Sequence, residues 1–151
     1  MPRIEQSILI DAPIAEVYRI ARDAESFPQF MDDLQSLTML ERSEDGQRTV
    51  TAWVGLIREF KMSIKWTQED LWDDVRYRDA FRMLQGDMDK MEGDWQFTPE
   101  ADNRTRFDSR MEYEFEVPLI GPMVRNLIKK KMTENLQATM EAIKQRAEGG
   151  A

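Results

Sequence analysis

The feature that most constrains the fold is a long stretch near the C-terminus that carries no helix-breaking residue. Residues 123–148 contain neither Gly nor Pro. Pro122 stands where the first turn of a helix tolerates its missing N–H, and Gly149 follows as a usual helix stop. The spacing therefore predicts one long helix from about Pro122 to Ala147.

Apolar residues recur along this stretch at intervals of three and four, but the stripe that they form is not straight. Its members are Ile120, Met123, Val124, Leu127, Ile128, Met132, Leu136, Met140, Ile143 and Ala147. At about 100° per residue, the stripe drifts around the helix axis further than a seam between two straight helices allows. The drift favours a helix that lies across a strongly twisted sheet and touches different elements with its two halves.

The rest of the chain supplies the strands of such a sheet. Apolar and polar residues alternate in the segments 3–10, 36–41, 49–57, 59–67, 75–83, 91–97 and 106–117. Such alternation buries one face and leaves the other in water, as in an antiparallel meander. Between the first two segments, one helix begins at Asp11-Ala12-Pro13 and a second, short one follows near residues 26–31. We therefore predict an α+β protein with one strand, two short helices, six further strands and one long helix.

A single helix leaves part of the apolar face of such a sheet uncovered. An α-helix with its side chains is about 10 Å across, so either large side chains fill the remaining space or a cavity is left. The inward positions are rich in Met, Phe, Trp and Tyr, and the chain has 11 Met, a flexible residue that adapts to varied apolar contents. Composition alone allows both outcomes, and the order of the elements favours the cavity.

Several short motifs, spread in order over nearly the whole chain, resemble one known superfamily. They are Ile10-Asp11-Ala12-Pro13 with Val17-Tyr18, Asp23-Ala24-Glu25-Ser26-Phe27-Pro28-Gln29-Phe30, Gly93-Asp94-Trp95-Gln96-Phe97-Thr98-Pro99 with Thr105, Tyr113-Glu114-Phe115-Glu116-Val117-Pro118, and Gly121-Pro122. The sequence resembles the START-like (SRPBCC) superfamily, in its branch of polyketide cyclases/dehydrases and coenzyme-Q-binding proteins. The resemblance implies a helix-grip fold, as in START domains and the birch-pollen allergen, with a seven-stranded curved antiparallel sheet, two short helices after strand 1 and a long C-terminal helix over a hydrophobic cavity. The superfamily holds lipid carriers, cyclases and partner-binding proteins, so it implies the fold more than the function.

Length and composition are typical of one globular domain. A chain of 151 residues is a usual size for one domain, and we expect this domain to span residues 1–147, with a flexible tail over 148–151. The net charge of −8 argues against a nucleic-acid partner, which needs a basic face. The charged N-terminus does not resemble a secretory signal, no run is apolar enough to span a membrane, and the chain has no Cys. We therefore expect a cytoplasmic location.

The C-terminal part of the chain is basic, although the chain as a whole has a negative net charge. Residues 119–151 carry an excess of basic over acidic residues, including the basic helix face, which consists of Arg125, Lys129, Lys130 and Lys131. A run of this kind suits transient contact with an anionic membrane or an acidic partner. The alternative, which we favour, is that it forms the solvated side of an amphipathic helix.

The residue types that support most enzyme chemistry are missing. The chain has no His and no Cys, which removes the usual general base and the commonest ligands of zinc. It also has no Gly-rich phosphate loop, and Ser109 has no His to activate it for triad-type catalysis. We therefore expect no metal and no cofactor.

Asp79 is the one candidate for acid–base chemistry. On the inward side of its strand it stands beside Phe81 and Met83, where burial would raise its pKa and let it exchange a proton or hold a ligand hydroxyl. Unpaired buried Asp is rare. We therefore favour the alternative that the strand bulges or ends near Asp79 and leaves the carboxylate in water at the rim.

We predict a carrier of a hydrophobic small molecule such as a quinone, a lipid or a polyketide-like aromatic. The residues expected to line its cavity are Phe27, Phe30, Phe60, Met62, Ile64, Trp66, Tyr77, Phe81, Trp95, Phe97, Ser109, Met111, Tyr113, Phe115, Met123 and Leu127. We expect residues 27–31 to cap one end of the cavity near Met123 and Leu127.

Two other functions stay open. The first is a polyketide aromatase/cyclase, in which Asp79 and the tyrosines handle protons. The arginines that would steer a polyketide fall on the outward side of the strands, which weakens this alternative; they are Arg76, Arg78, Arg82 and Arg110. The second is a protein- or membrane-interaction module that uses the basic helix face.

Overall fold

The structure is a computed structural model and describes residues 2–57, 61–115 and 121–149. Within these residues, seven strands form one antiparallel sheet. They are β1 (Arg3–Ile10), β2 (Leu34–Arg42), β3 (Arg48–Ile57), β4 (Met62–Asp73), β5 (Arg78–Gly86), β6 (Lys90–Glu100) and β7 (Arg104–Glu114). Their order across the sheet is β1-β7-β6-β5-β4-β3-β2, so each strand from β2 to β7 pairs with its neighbour in sequence and β1 closes against β7. The predicted order of elements is confirmed.

Besides a single 3-10 turn at Ala101–Asn103 between β6 and β7, three helical segments accompany the sheet in the described residues. Helix α1 (Ile14–Arg22) begins directly after Pro13, a 3-10 helix follows at Ala24–Gln29, and α2 (Pro122–Gly149) is the long C-terminal helix. No helix in the described part of the chain combines the length and apolarity that a membrane crossing requires.

Tight turns and one glycine bring neighbouring strands together. The β6–β7 turn places Asp102 and Asn103 at φ values of 62° and 58°, a region that these two residue types tolerate better than most. Gly93 lies where β6 approaches β7 closely. A Cβ at this position would come within 2.1 Å of the backbone oxygen of Arg110 and 2.8 Å of the Phe81 ring, so the pairing requires glycine.

Helix α2 is anchored over its C-terminal two-thirds. It packs against α1 and β1, and Met140, Ile143 and Ala147 are buried there. Gln6 donates a hydrogen bond to the carbonyl of Thr133 at 3.3 Å. These contacts agree with a helix gripped along one side.

Polar contacts also tie down the end of α2. The backbone N–H of Asp11 donates to Glu148 Oε2 at 2.8 Å, and Lys144 donates to the carbonyl of Leu9 at 2.9 Å. The helix therefore extends two residues beyond the Ala147 end that we expected.

Helix α2 begins at Pro122 as expected, but two apolar side chains near its start are not buried. Met123 is 82% exposed and Leu127 is 36% exposed, although both belong to the apolar stripe. The anchoring contacts begin further along the helix, so the spacing of apolar residues is not enough to place these two side chains inside. Residues 27–31 lie instead beside the later part of α2, where the Arg146 guanidinium lies 4.9 Å from the centre of the Phe30 ring; this corrects their expected position beside Met123 and Leu127.

The turn between β4 and β5 also corrects a predicted boundary. We expected a strand over residues 75–83, but Val75 is 88% exposed and Tyr77 has a φ of 55°. Asp73 Oδ1 accepts the backbone N–H groups of Val75 and Arg76 at 3.1 and 3.0 Å, which is the way an Asp side chain stabilises a turn. Strand β4 therefore runs on to Asp73, and β5 begins only at Arg78.

Candidate functional site

A cavity of about 470 Å³ lies between one face of the sheet, the 3-10 helix region and α2. Strands β3 to β5 provide much of its wall. Its aromatic and Met lining consists of Phe27, Phe30, Met31, Met39, Trp53, Trp66, Trp72, Phe81, Met88, Met91, Trp95, Met111 and Met132. The ring of Trp53 faces inward, since it stacks on Trp66 with centroids 5.4 Å apart.

The structure brings about half of the predicted lining residues to this cavity. Those in its wall are Phe27, Phe30, Ile64, Trp66, Phe81, Trp95 and Met111, together with Asp79. Phe60 and the side chain of Met62 lie outside the described residues. The binding role of each lining residue stays a prediction.

Seven predicted residues do not line the cavity. Phe97, Ser109 and Tyr113 are buried, Tyr77 and Phe115 are half-buried, and Met123 and Leu127 are exposed. The buried ones lie on β6 and β7, the part of the sheet that α1 contacts. Helical packing fills this end of the sheet, so the cavity lies towards β3 to β5 instead.

Sequence reasoning missed a polar group on β4. Gln68, Asp70 and Trp72 lie in the cavity wall on the same side of the strand as Ile64 and Trp66. The predicted strand ended at residue 67, and the side chains that follow it are mostly polar. Following the even-numbered positions past that point would have found all three.

These side chains form a connected network. Trp66 Nε1 donates to Gln68 Oε1 at 3.0 Å, and Gln68 Nε2 donates to Asp70 Oδ1 at 3.0 Å. The side chain of Asp70 is in turn hydrogen-bonded to that of Asp79. We call Asp70 and Asp79 the carboxyl pair.

The carboxyl pair is buried and shares a proton. Asp70 is 5% exposed and Asp79 is 2% exposed, which corrects the expectation that Asp79 lies in water at the rim. Burial raises the pKa of Asp79 well above its usual value, and the negative charge of Asp70 adds to this. Burial also raises the pKa of Asp70, while hydrogen bonds from Asp79 and Gln68 oppose the rise. The rise is larger for Asp79, so Asp79 keeps its proton to a higher pH than Asp70 does, because two adjacent buried carboxyl groups do not both ionise.

The positively charged side chain of Arg22 lies in the wall of the cavity. It is directed to other partners, however: Nη1 donates to the carbonyl of Gly46 at 2.9 Å, and Nε lies 3.5 Å from Asp74 Oδ1. Its guanidinium also lies 5.0 Å from the centre of the Trp72 ring. Its charge only partly offsets the pKa increases of the carboxyl pair.

The arginines considered for polyketide steering lie elsewhere. Arg76, Arg78, Arg82 and Arg110 are all exposed. Arg78 and Arg110 both bind Asp94, at 3.3 and 2.6 Å. The outward facing of Arg78, Arg82 and Arg110 agrees with the alternation of β5 and β7, whereas Arg76 lies in the turn before β5.

On the basic helix face, Arg125, Lys129 and Lys130 are exposed. Lys131 lies 3.2 Å from Glu134. Contact of this face with a membrane or an acidic partner stays a prediction.

A curved seven-stranded antiparallel sheet that holds a long C-terminal helix beside an apolar cavity defines a START-like protein with the helix-grip fold. The chain belongs to the family described as "Polyketide cyclase / dehydrase and lipid transport", whose model matches residues 10–140. The resemblance that the sequence motifs indicated is thereby confirmed.

Relatives of known name or structure agree with this assignment. The chain is 26% identical over 141 residues to the ribosome association toxin RatA of Escherichia coli K12, covering 91% of this chain and 84% of RatA. The crystal structure of TTHA0849 from Thermus thermophilus is similar, with 31% identity, a TM-score of 0.91 and 99% of each chain covered. The Zhui aromatase/cyclase from Streptomyces sp. R1128 shares the fold at 17% identity, with a TM-score of 0.88 over 97% of this chain and 93% of that one.

Proposed function

We propose that the protein binds a hydrophobic small molecule in its cavity and carries or shields it. One observation supports this most directly: a cavity of about 470 Å³ is walled largely by aromatic and Met side chains. Pockets that take apolar ligands have this size and lining, with only a few polar groups. The description of the family, which includes lipid transport, is consistent with the proposal. Quinones, lipids and polyketide-like aromatics are the ligand classes that fit such a wall.

Native mass spectrometry of protein purified from its host, with identification of the extracted lipids, tests this proposal. Binding of quinones and fatty acids can be followed in parallel by intrinsic fluorescence. The reporters are Trp53, Trp66, Trp72 and Trp95, which all line the cavity. We expect a co-purifying apolar molecule and saturable changes in Trp emission; the absence of both would argue strongly against a carrier.

A matched pair of variants separates cavity binding from surface binding. Ala142→Phe places a large ring in the cavity wall on α2, whereas Asn126→Phe adds the same ring at an exposed position of the same helix. We expect the first to weaken ligand binding at least tenfold, because it occupies the ligand's volume, and the second to leave binding unchanged. Equal effects of the two variants would place the bound ligand outside the cavity.

The carboxyl pair favours one second candidate function, a polyketide aromatase/cyclase. A protonated Asp79 beside an ionised Asp70 could supply and accept protons during ring closure and dehydration. A gene next to polyketide synthase genes would support this candidate, as would loss of cyclised product in Asp79→Asn with substrate binding retained. Full product formation by Asp79→Asn would exclude Asp79 as the acid or base.

The exposed basic helix face favours a further candidate from another class, an interaction module. The similarity to RatA, whose name refers to ribosome association, is consistent with a large anionic partner. Charge reversal of Lys129 and Lys130 to Glu, followed by co-sedimentation with ribosomes or anionic vesicles, tests it. Association that survives the reversal would dismiss this face as the contact.

A further inference from the structure

The carboxyl pair belongs to a row of polar side chains that crosses the sheet. Asp79 on β5 lies opposite Trp95 on β6. Trp95 lies opposite Ser109 on β7, and Ser109 lies opposite Gln6 on β1. Cross-strand partners of this kind point to the same face with their Cβ atoms about 5 Å apart, so neighbouring members of the row can contact one common group.

Each member of this row carries a buried polar atom that lacks a hydrogen-bond partner. These atoms are Asp79 Oδ1, Trp95 Nε1, Ser109 Oγ and Gln6 Oε1. Buried polar atoms in folded proteins nearly always have a partner, so an exception calls for an explanation. Here the exceptions are not scattered but form one continuous line, and Asp79 and Trp95 also line the cavity.

The chemistry of Asp79 and Trp95 is complementary. The indole Nε1 of Trp95 can only donate a hydrogen bond. The hydrogen bond between Asp79 and Asp70 occupies one carboxyl oxygen of Asp79, which leaves the other oxygen as an acceptor. A group that satisfies both atoms must donate and accept at once, as a hydroxyl does. An ether oxygen can accept from Trp95 but has no proton for Asp79.

The surroundings restrict the ligand further. Phe81, Met91 and Met111 lie in the adjoining wall, so the rest of the molecule near this point must be apolar. A carboxylate head group would bring a charge into a buried setting beside two carboxyl groups, where desolvation is costly and Coulomb repulsion is far less screened than in water. A carboxylate ligand is therefore disfavoured.

We propose that Asp79 and Trp95 form a subsite that binds the hydroxyl group of an otherwise apolar ligand, so that the cavity selects alcohols or phenols over ethers and carboxylates of the same size. This inference rests on the proposed carrier function and names the ligand class of the same cavity. In this subsite Asp79 accepts a hydrogen bond from the ligand's hydroxyl group, and Trp95 donates a hydrogen bond to the oxygen of that hydroxyl.

Displacement of a neutral fluorescent probe, N-phenyl-1-naphthylamine, by three molecules of matched length tests the inference. 1-Decanol and 1-methoxynonane have the same number of heavy atoms, and only the alcohol can donate a hydrogen bond; decanoate supplies the carboxylate. At pH 7.5 we expect decanol to bind about tenfold tighter than methoxynonane, the size of one buried hydrogen bond gained together with an acceptor no longer left unsatisfied. Decanoate should bind more weakly than decanol.

Two variants assign the effect to the two residues. In Asp79→Leu the acceptor is gone, so the ratio of decanol to methoxynonane affinity should fall to about one. In Trp95→Phe both ligands lose the same donor, so both should weaken while their ratio stays high. Thermal unfolding of each variant establishes whether it is folded. The comparison of decanol with methoxynonane in the wild type tests the inference even where a variant does not fold.

The outcomes separate this inference from the carrier proposal. Equal binding of decanol and methoxynonane by the wild type would overturn the hydroxyl subsite and leave the carrier proposal standing, as would a ratio that Asp79→Leu leaves unchanged. If decanol and methoxynonane bind equally because a water molecule fills the subsite, the hydroxyl subsite is overturned as well. Failure of the fluorescent probe and of all three molecules to bind would overturn both.

Discussion

The shared proton of the carboxyl pair predicts a particular dependence of stability on pH. The pKa of Asp79 is raised well above its ordinary value of 3.8, first by burial and then by the charge of Asp70. The folded protein therefore keeps this proton at pH values where the unfolded chain has released it. The contribution of Asp79 to stability is fully present below the ordinary pKa and is lost as the pH rises towards the folded-state pKa.

Replacing Asp79 by Asn removes this dependence while keeping the shape of the side chain. The introduced amide carries N–H groups that can donate to Asp70 as the protonated carboxyl does, and it has no proton to release. Within the affected window, the wild type should lose stability relative to Asp79→Asn by up to about 1.4 kcal/mol for each pH unit. For a protein of this size, this corresponds to roughly 3–6 °C in Tm per pH unit.

Thermal unfolding followed by circular dichroism between pH 5 and pH 8 measures the effect. At pH 5, which lies above the ordinary Asp pKa, the wild type should already have lost part of this stability, and it should become progressively less stable relative to the variant towards neutral pH. Parallel curves over this range would refute the reasoning, because they would mean that Asp79 titrates alike in the folded and unfolded states.

Asp74→Asn is a matched control for this experiment. Burial acts to raise the pKa of Asp74, but hydrogen bonds from Tyr18 and Gln47 outweigh it, and the net shift is downward. Stability that depends on an ionised Asp74 is present above the ordinary Asp pKa and is lost only as the pH falls through the lowered folded value. Between pH 5 and pH 8 the curve of this variant should therefore run parallel to that of the wild type.

Three further substitutions test the packing. Trp95→Ala should cost about 3–5 kcal/mol in the free energy of unfolding, because this buried ring makes edge contacts with three phenylalanines; a near-neutral result in urea denaturation would mean that its facing is wrong. Gly93→Ala should cost about 3 kcal/mol or more, because its Cβ would meet the backbone of β7, whereas Gly121→Ala, which meets nothing within 4 Å, should be nearly neutral by the same measurement. Tyr18→Phe should cost about 1 kcal/mol, since it removes the hydrogen bond that Tyr18 donates to Asp74 at 2.5 Å; an unchanged Tm would show that this bond adds no net stability.

The sequence was sufficient for the order and the type of the elements. Strand β7 alternates strictly enough to identify its buried side, and its inward positions Phe107, Ser109, Met111 and Tyr113 are all buried. The stretch without Gly or Pro after Pro122 identified the long helix. Both signals are local, because the spacing of residues along one element determines which of them can share a face.

The position of the cavity was not predictable in the same way. Phe97 and Trp95 have the same parity on β6, yet only Trp95 lines the cavity. The difference depends on which part of the sheet the helices cover, and α1 contacts β6 and β7. Met123 likewise has the same apolar character as Met132, but only Met132 reaches the cavity, because the sheet lies beside the later part of α2.

The carboxyl pair shows most clearly what only the tertiary structure decides. Asp70 and Asp79 are separated by a turn that the sequence pattern misplaced, so nothing local indicated that they would meet. The antiparallel register of β4 and β5 sets Asp79 opposite Trp72 and Asp70 opposite Phe81, which makes the two carboxyl groups diagonal neighbours. Periodicity along a strand determines the face on which a residue lies, whereas the register between strands determines its neighbours. Burial together with the neighbouring Asp70 raises the pKa of Asp79, and both depend on the tertiary structure.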